Sequence, residues 1–438
     1  MKTALKCIGV LLIALGLVSC AQKSEPDYDN PGFYDQTLTI TAVRDHHRLQ
    51  EFARRYMLRY PGVYIEVTSF NYDFPRYIEQ LFIGLMSGTA DDFFDADIDY
   101  MNPATIRLLA DWLPIMRADP DFSEDDYFMS VLNAMTFQGG LYEFPFLFQA
   151  PHLIVANSTI PGLTQMLADY ATLSVTDLKS IREAVESDLY LHASFALHSA
   201  VTFYINSFLD IENRTADFNN PRFINLISNA VEVIDTNSRY IQLGNNWHFD
   251  FATEEILSGR YLFQEVNWSI FQYFLPYENE FIFEGITPVA DADGRVLIGQ
   301  HRSYALNAAA SYKDLAWDFI KFMQDTERNG LVLGDELFMP VYRPFMRSQM
   351  HRAMPEWLSH YARQLGWRIE GDEADIIDGF IAQIEELHDM PMTYLRLPYV
   401  IHDILRETLQ LFTDGLISAE EAAIDLQNKI TLVLWEMG

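Results

Sequence analysis

Between residues 38 and 96 the chain alternates between two hydrophobic periods, and this alternation narrows the possible folds more than any other feature. Leu38 to Val43 is a short β-rich run. Leu49, Phe52, Ala53, Tyr56, Met57 and Tyr60 then recur at three- and four-residue spacing, which places them on one face of a helix that Pro61-Gly62 ends. Val63, Ile65 and Val67 alternate as a second strand. After a polar turn around Asn71, a stripe of Tyr77, Ile78, Leu81, Phe82, Leu85 and Met86 predicts a second helix that stops near Gly88, and Phe93 to Ala96 is a third strand. Strands joined through helices pair mainly in parallel, in a sheet covered on both faces. The expected fold class is α/β.

The first residues are not part of that fold. Lys2 and Lys6 precede an apolar run from Ile8 to Leu17, and Ser19-Cys20 supplies small residues at a cleavage point. This stretch is too short to span a bilayer comfortably, which takes about 20 apolar residues. With Leu17-Val18-Ser19-Cys20 it resembles a bacterial lipoprotein signal, which implies removal of residues 1–19 and a lipid on Cys20. The chain has 2 Cys, and the other, Cys7, lies in the removed segment, so no disulfide is expected. An exported body without disulfides is held by its core, and the remaining length suffices for two or three domains. Hydrophobic residues make up 49% of the chain, enough for a packed globular body, and no later run is long and apolar enough to span a membrane. Residues 20–36, with Pro26, Pro31 and Gly32 among polar residues, read as a tether.

A formal charge of −32 makes nucleic acid an unlikely partner and favours a neutral or cationic ligand over a polyanion. No Gly-x-Ser-x-Gly elbow, His-Glu-x-x-His pair or phosphate-cradling glycine loop is present. Asp45-His46-His47 offers metal-ligand residue types, but adjacent helical histidines are expected to point apart, so no metal is assigned. No cofactor and no enzyme activity are expected.

Several runs, in order, resemble the bacterial extracellular solute-binding proteins of family 1. They are Leu58-Arg59-Tyr60-Pro61-Gly62 before the second strand, Leu85-Met86-Ser87-Gly88-Thr89-Ala90-Asp91-Asp92 before the third, and Gly139-Gly140-Leu141-Tyr142-Glu143-Phe144-Pro145 followed by Val155-Ala156-Asn157. Later come Ala316-Trp317-Asp318-Phe319-Ile320-Lys321-Phe322-Met323 and, most specifically, Phe412-Thr413-Asp414-Gly415-Leu416-Ile417-Ser418-Ala419-Glu420-Glu421-Ala422-Ala423. Asp91 stands where the family usually has proline, and Ala156 where it has an aromatic. Ser418 and Glu421 also have capping-box spacing before an apolar face of Ala423, Leu426, Ile430 and Val433.

The resemblance implies a two-lobed periplasmic-binding-protein-like fold of type II, maltose-binding-protein-like, with the ligand cleft between the lobes. It places 37–150 and 298–340 in one lobe and 151–297 and 341–438 in the other, with the hairpin at 139–145 as a first crossing. It further implies a monomeric, lipid-anchored extracytoplasmic receptor that hands a carbohydrate, by charge a neutral oligosaccharide, to the permease subunits of an ABC importer.

Sugars present C–H faces and rims of hydroxyls, so their sites combine aromatic platforms with carboxylates and amides. Trp268, after Leu257-Ser258-Gly259-Arg260 and Leu262-Phe263-Gln264-Glu265-Val266-Asn267, resembles the family's cleft tryptophan. Tyr72, Phe146, Trp247 and Tyr394 are further aromatic candidates, each weighed against a packing role. Asp45 and Asp97 follow the first and third strands, where a carboxylate can reach a cleft mouth; each is weighed against a plainer role, Asp45 as the cap of the following helix and Asp97 as a solvated loop charge. Two other functions stay open. A lipid-tethered glycosidase would use Glu265 with Glu254 or Glu255, and a sensor or scaffold would use the same fold without an importer.

Overall fold

The computed structural model describes residues 34–43, 46–70, 74–96, 103–149, 153–157, 160–185, 190–192, 201–202, 204–233, 261–266, 283–288, 290–291, 293–325, 339–365, 372–394 and 397–437. Its first elements follow the alternation: β1 (Gln36–Ala42), α1 (His46–Arg59), β2 (Val63–Ser69), α2 (Phe74–Ser87) and β3 (Phe93–Ala96). β1 pairs in parallel with β2, Ala42 opposite Ser69, and with β3, Thr41 opposite Phe94. All three carboxyl ends therefore emerge at one edge of the sheet. α1 buries Leu49, Phe52, Ala53 and Tyr56, and the Tyr56 hydroxyl donates to Asp318 at 2.6 Å. α2 turns Tyr77, Leu81 and Leu85 inward, whereas Met86 is 64% exposed. One residue beyond Leu85 is a rotation of about 100°, enough to carry Met86 off the buried stripe.

Next come α3 (Trp112–Ala118), α4 (Met129–Ala134) and β4 (Glu143–Gln149). Asp111 caps α3 by accepting from Leu113 N at 3.0 Å, and the same oxygen accepts from Leu141 N at 2.9 Å. A tight turn reverses the chain before β4, closed by paired hydrogen bonds between Phe137 and Gly140. It needs glycine at position 139, where φ is +80°.

The chain then builds a second sheet. β5 (Leu153–Asn157), α5 (Leu163–Ala168), α6 (Val175–Ala184), β6 (Tyr190–His192), α7 (Pro221–Val233), β7 (Tyr261–Val266) and β8 (Phe283–Pro288) follow in sequence, and the strands assemble in the order β8-β5-β7-β6. α6 starts with a capping box, Ser174 with Asp177. Leu163, Leu178, Ile181, Phe223 and Ile227 belong to the core of this unit.

β9 (Val296–Leu306) returns to the first sheet, running antiparallel between β3 and β4. It is followed by α8 (Lys313–Gln324), β10 (Met339–Pro340), α9 (Arg343–Leu365), α10 (Glu373–His388), β11 (Met392–Tyr394), α11 (Tyr399–Thr413) and α12 (Ala419–Glu436). The first sheet has the order β10-β4-β9-β3-β1-β2, with β11 added beside β9. α8 is buried nearly all round, including Ala316, Trp317, Phe319, Ile320, Phe322 and Met323.

The described residues of 341–365 and 372–394, a stretch expected in the second lobe, pack on the first core. β10 pairs with β4, and Phe345, Met346, Met350, Ile377, Ile381 and Ile384 all join the cluster that contains Ile40 and Phe93. α11 and α12 go to the second core through Ile401, Leu405, Leu426 and Ile430. α12 carries the capping box read in the sequence: Ser418 Oγ accepts from Glu421 N at 3.2 Å, and Glu421 accepts from Ser418 N at 2.8 Å. Among the described residues no helix is long and apolar enough to cross a membrane.

Candidate functional site

The two cores are joined by short stretches of chain at one place. β4 ends in the first sheet at Gln149, and four residues later Leu153 opens β5 in the second. Leu297 packs in the second core and Ile298, its neighbour, in the first. Tyr394 belongs to the first core and Leu397 to the second. The expected crossing at 139–145 is instead a turn within the first unit, because β4 after it still pairs with β9 from Glu143 to Gln149.

These passages lie side by side. Gln149 is opposite Gly299, and Val296 to Ile298 runs in register with Met392 to Tyr394. Asn206, beside the second-core residue Ile205, donates to Thr393 Oγ1 at 2.8 Å and to the Tyr394 carbonyl at 3.3 Å. The turn entering β9 is fixed by Asp291, whose carboxylate accepts from Asp293 N, Arg295 N and Arg295 Nε, each at 2.9 Å. Ala290 N in turn donates to Leu173 O at 3.0 Å, which ties this turn to the second unit.

The strand directions aim the first sheet at this joint. β9 descends from the joint antiparallel to β3 and β4, so the carboxyl ends of β3 and β4 point back toward it, as do those of β1 and β2. Ligands of open α/β sheets bind beyond such carboxyl ends. On the second sheet, β7 ends at Val266, which is in register with Leu153, the first residue past the β4 crossing.

Asp95 holds the chain as it leaves β1 and was not among the sequence candidates. It is 5% exposed. Its carboxylate accepts from Val43 N at 2.7 Å, and its carbonyl accepts from the Tyr77 hydroxyl at 2.7 Å. Burial, with Asp95 and Asp91 nearby, raises the Tyr77 pKa well above its ordinary value and keeps that hydroxyl a donor. A signal existed in the sequence, since Asp95 is the one charge in the apolar strand Phe93-Phe94-Asp95-Ala96.

Of the sequence candidates, Asp45, Tyr72, Asp97, Trp247 and Trp268 lie outside the described residues, as do Glu254, Glu255 and Cys20. The strands that lead into four of them are described. β1 ends three residues before Asp45, β2 three before Tyr72, β3 one before Asp97 and β7 two before Trp268. Phe146 and Tyr394 are buried packing side chains. Phe146 is 1% exposed, its ring 5.6 Å from Tyr304 and 6.2 Å from Phe345. Tyr394 is 6% exposed in the first core. Both side chains pack within the first core. His46 and His47, expected to diverge, have ring centroids 3.8 Å apart; among the described residues no group of three side chains could hold a metal ion.

No protein-family model matches the sequence, and no curated protein matches it. Solved structures do. The sugar-binding protein MalE from the phytopathogen Xanthomonas citri has a TM-score of 0.62 at 14% identity, covering 91% of this chain and 98% of its own. An extracellular solute-binding protein of family 1 from Alicyclobacillus acidocaldarius gives 0.61 at 13% identity over 91% and 98%. An ABC substrate-binding protein from Listeria monocytogenes, in complex with cycloalternan, gives 0.55 at 13% identity over 91% and 99%. The chain has the α/β fold of the MalE-like, type II periplasmic binding proteins.

Proposed function

We propose that this protein is a lipid-anchored extracytoplasmic receptor that closes on a neutral oligosaccharide and delivers it to an ABC importer. The observation that carries this reading is the joint: two cores connected by short adjacent passages, with the carboxyl ends of β1–β4 and of β7 directed at it. Such a joint allows hinge closure around a ligand. Sugar-binding proteins among the structural neighbours support a carbohydrate ligand, and the charge of −32 favours a neutral one.

In this reading Trp268 is an aromatic platform from the second lobe, with Trp247 and Tyr72 as further rings. Asp45 and Asp97 accept hydrogen bonds from sugar hydroxyls at the first-lobe strand ends. Nothing in the reading calls for catalysis, so the ligand leaves unchanged. Lipid on Cys20 keeps the receptor near its permease.

A thermal-shift screen against mono- and oligosaccharides tests the reading, because a ligand that binds only the folded state raises the melting temperature. At least one neutral glycan is expected to stabilise the protein. Trp268→Ala and Asp97→Ala should then weaken it by about tenfold or more in calorimetric titration, the loss of a stacking surface or a charge-assisted hydrogen bond. No shift across a broad panel, or release of reducing sugar from a glycan, would overturn the reading.

A further inference from the structure

A cavity of about 340 Å³ lies on the flank of the first unit, walled by residues 121–127, α8 and the start of α9. Among the described residues, none of the passages at 149–153, 296–299 or 394–397 lines it. Its lining includes five aromatic rings, Phe345 and a cluster of four. Phe122 and Tyr342 are half-buried, over Tyr127 and Trp317 at 4% and 3% exposed. The Tyr127 ring centre is 5.3 Å from Phe122, 5.1 Å from Tyr342 and 6.2 Å from Trp317.

α8 supplies the polar wall through Trp317, Lys321 and Gln324, which share a face at i, i+4 and i+7. The first two are already engaged. Trp317 Nε1 donates to Asp119 at 2.8 Å, and Lys321 Nζ lies 2.7 Å from the same carboxylate oxygen. Gln324 is different: it is 2% exposed, and neither its Oε1 nor its Nε2 has a hydrogen-bond partner among the described residues. A buried amide left so is destabilising, because it has lost its water and gained no partner. Asp121, Asp126 and Asp325 complete the rim.

We propose that this cavity is a second ligand site, outside the joint, that takes a neutral pyranose ring. Adjacent hydroxyls both donate and accept, so they meet the two empty atoms of the Gln324 amide, while the C–H face of the ring lies on the aromatic cluster. The carboxylates accept the remaining hydroxyls. An organic ammonium also suits rings and carboxylates, but it could satisfy only Oε1, leave Nε2 without an acceptor and stand near the Lys321 ammonium. An acidic ligand would meet Asp121, Asp126 and Asp325. At about 340 Å³ the space is near the lower end of small-molecule sites, which begin at roughly 300 Å³.

The test is saturation-transfer NMR with D-glucose and methyl α-D-glucopyranoside on the intact purified chain and on two variants. In Trp268→Ala, which removes the proposed platform of the joint, transfer to the sugar C–H protons should persist. In Gln324→Met, which replaces two unpartnered atoms by an apolar group of similar length, the melting temperature should not fall and the flank affinity should drop about tenfold, the loss of one to two hydrogen bonds. Tyr342→Ala, at a half-buried ring, should weaken binding likewise.

Absence of any sugar signal overturns the site, and so does an affinity unchanged in both Gln324→Met and Tyr342→Ala, since water would then fill the cavity. Tighter binding of tetramethylammonium than of either sugar, relieved by Gln324→Met, would also overturn it. Sugar binding abolished altogether by Trp268→Ala would assign every signal to the joint. That result would overturn the flank site while supporting the receptor reading.

Discussion

His388 closes α10 with its imidazole fully inside the first core, 4.4 Å from the Phe128 ring and 5.0 Å from Phe148. Its Nδ1 donates to the Ile384 carbonyl, and Nε2 has no partner among the described residues, which suits a neutral ring. Burial pushes its pKa down to about 4. The unfolded chain, with histidine near 6.5, therefore takes up this proton first as the pH falls. Stability from the neutral ring is full above 6.5 and is lost as the pH drops toward about 4. Melting temperatures measured from pH 7.5 down to 4 should fall more steeply for the parent than for His388→Phe. Parallel profiles would contradict this.

At the scale of single elements, local pattern and long-range packing separate cleanly. The capping box of α12 follows from Ser418, Glu421 and the apolar face behind them, and it forms as read. Ser418→Ala should cost about 1 kcal/mol in chemical denaturation, whereas a cost near zero would mean that packing alone holds the helix. Phe146→Ala should cost about 3–5 kcal/mol, as for other buried aromatic truncations. A small cost with weakened sugar binding would return Phe146 to the site.

Strands and helices of the first unit were legible because a period of two or of three to four residues is written within each segment. The partner of a segment is not written there. Helices α9 and α10 carry apolar stripes that would suit either core, and pairing of Met339 and Pro340 with β4, before them, and of β11 with β9, after them, commits this chain to the first. Asp95 shows the same limit at a smaller scale. Its charge in an apolar strand was visible, but its partner Val43 lies 52 residues away. Phe146 could be taken for a platform because an aromatic in a strand has the same sequence signature whether one face of the sheet is covered or both.

For the whole molecule, the joint and the proposed lipid anchor carry separate consequences. Cys20→Ser should leave the glycan affinity of the purified protein unchanged and weaken uptake by cells, since a tether raises the local concentration at the permease. Lost affinity in the purified variant would contradict the assignment of Cys20 to anchoring. At the joint, Asn206 ties the second core to the passage at Thr393 and Tyr394, and Asp291 stiffens the turn before Val296. Rigid units linked through such short passages should move as bodies. Small-angle X-ray scattering of the purified protein, with and without the glycan that most raises its melting temperature, measures that closure directly. A smaller radius of gyration at saturation is the expected result. A scattering profile that no neutral oligosaccharide changes would contradict it.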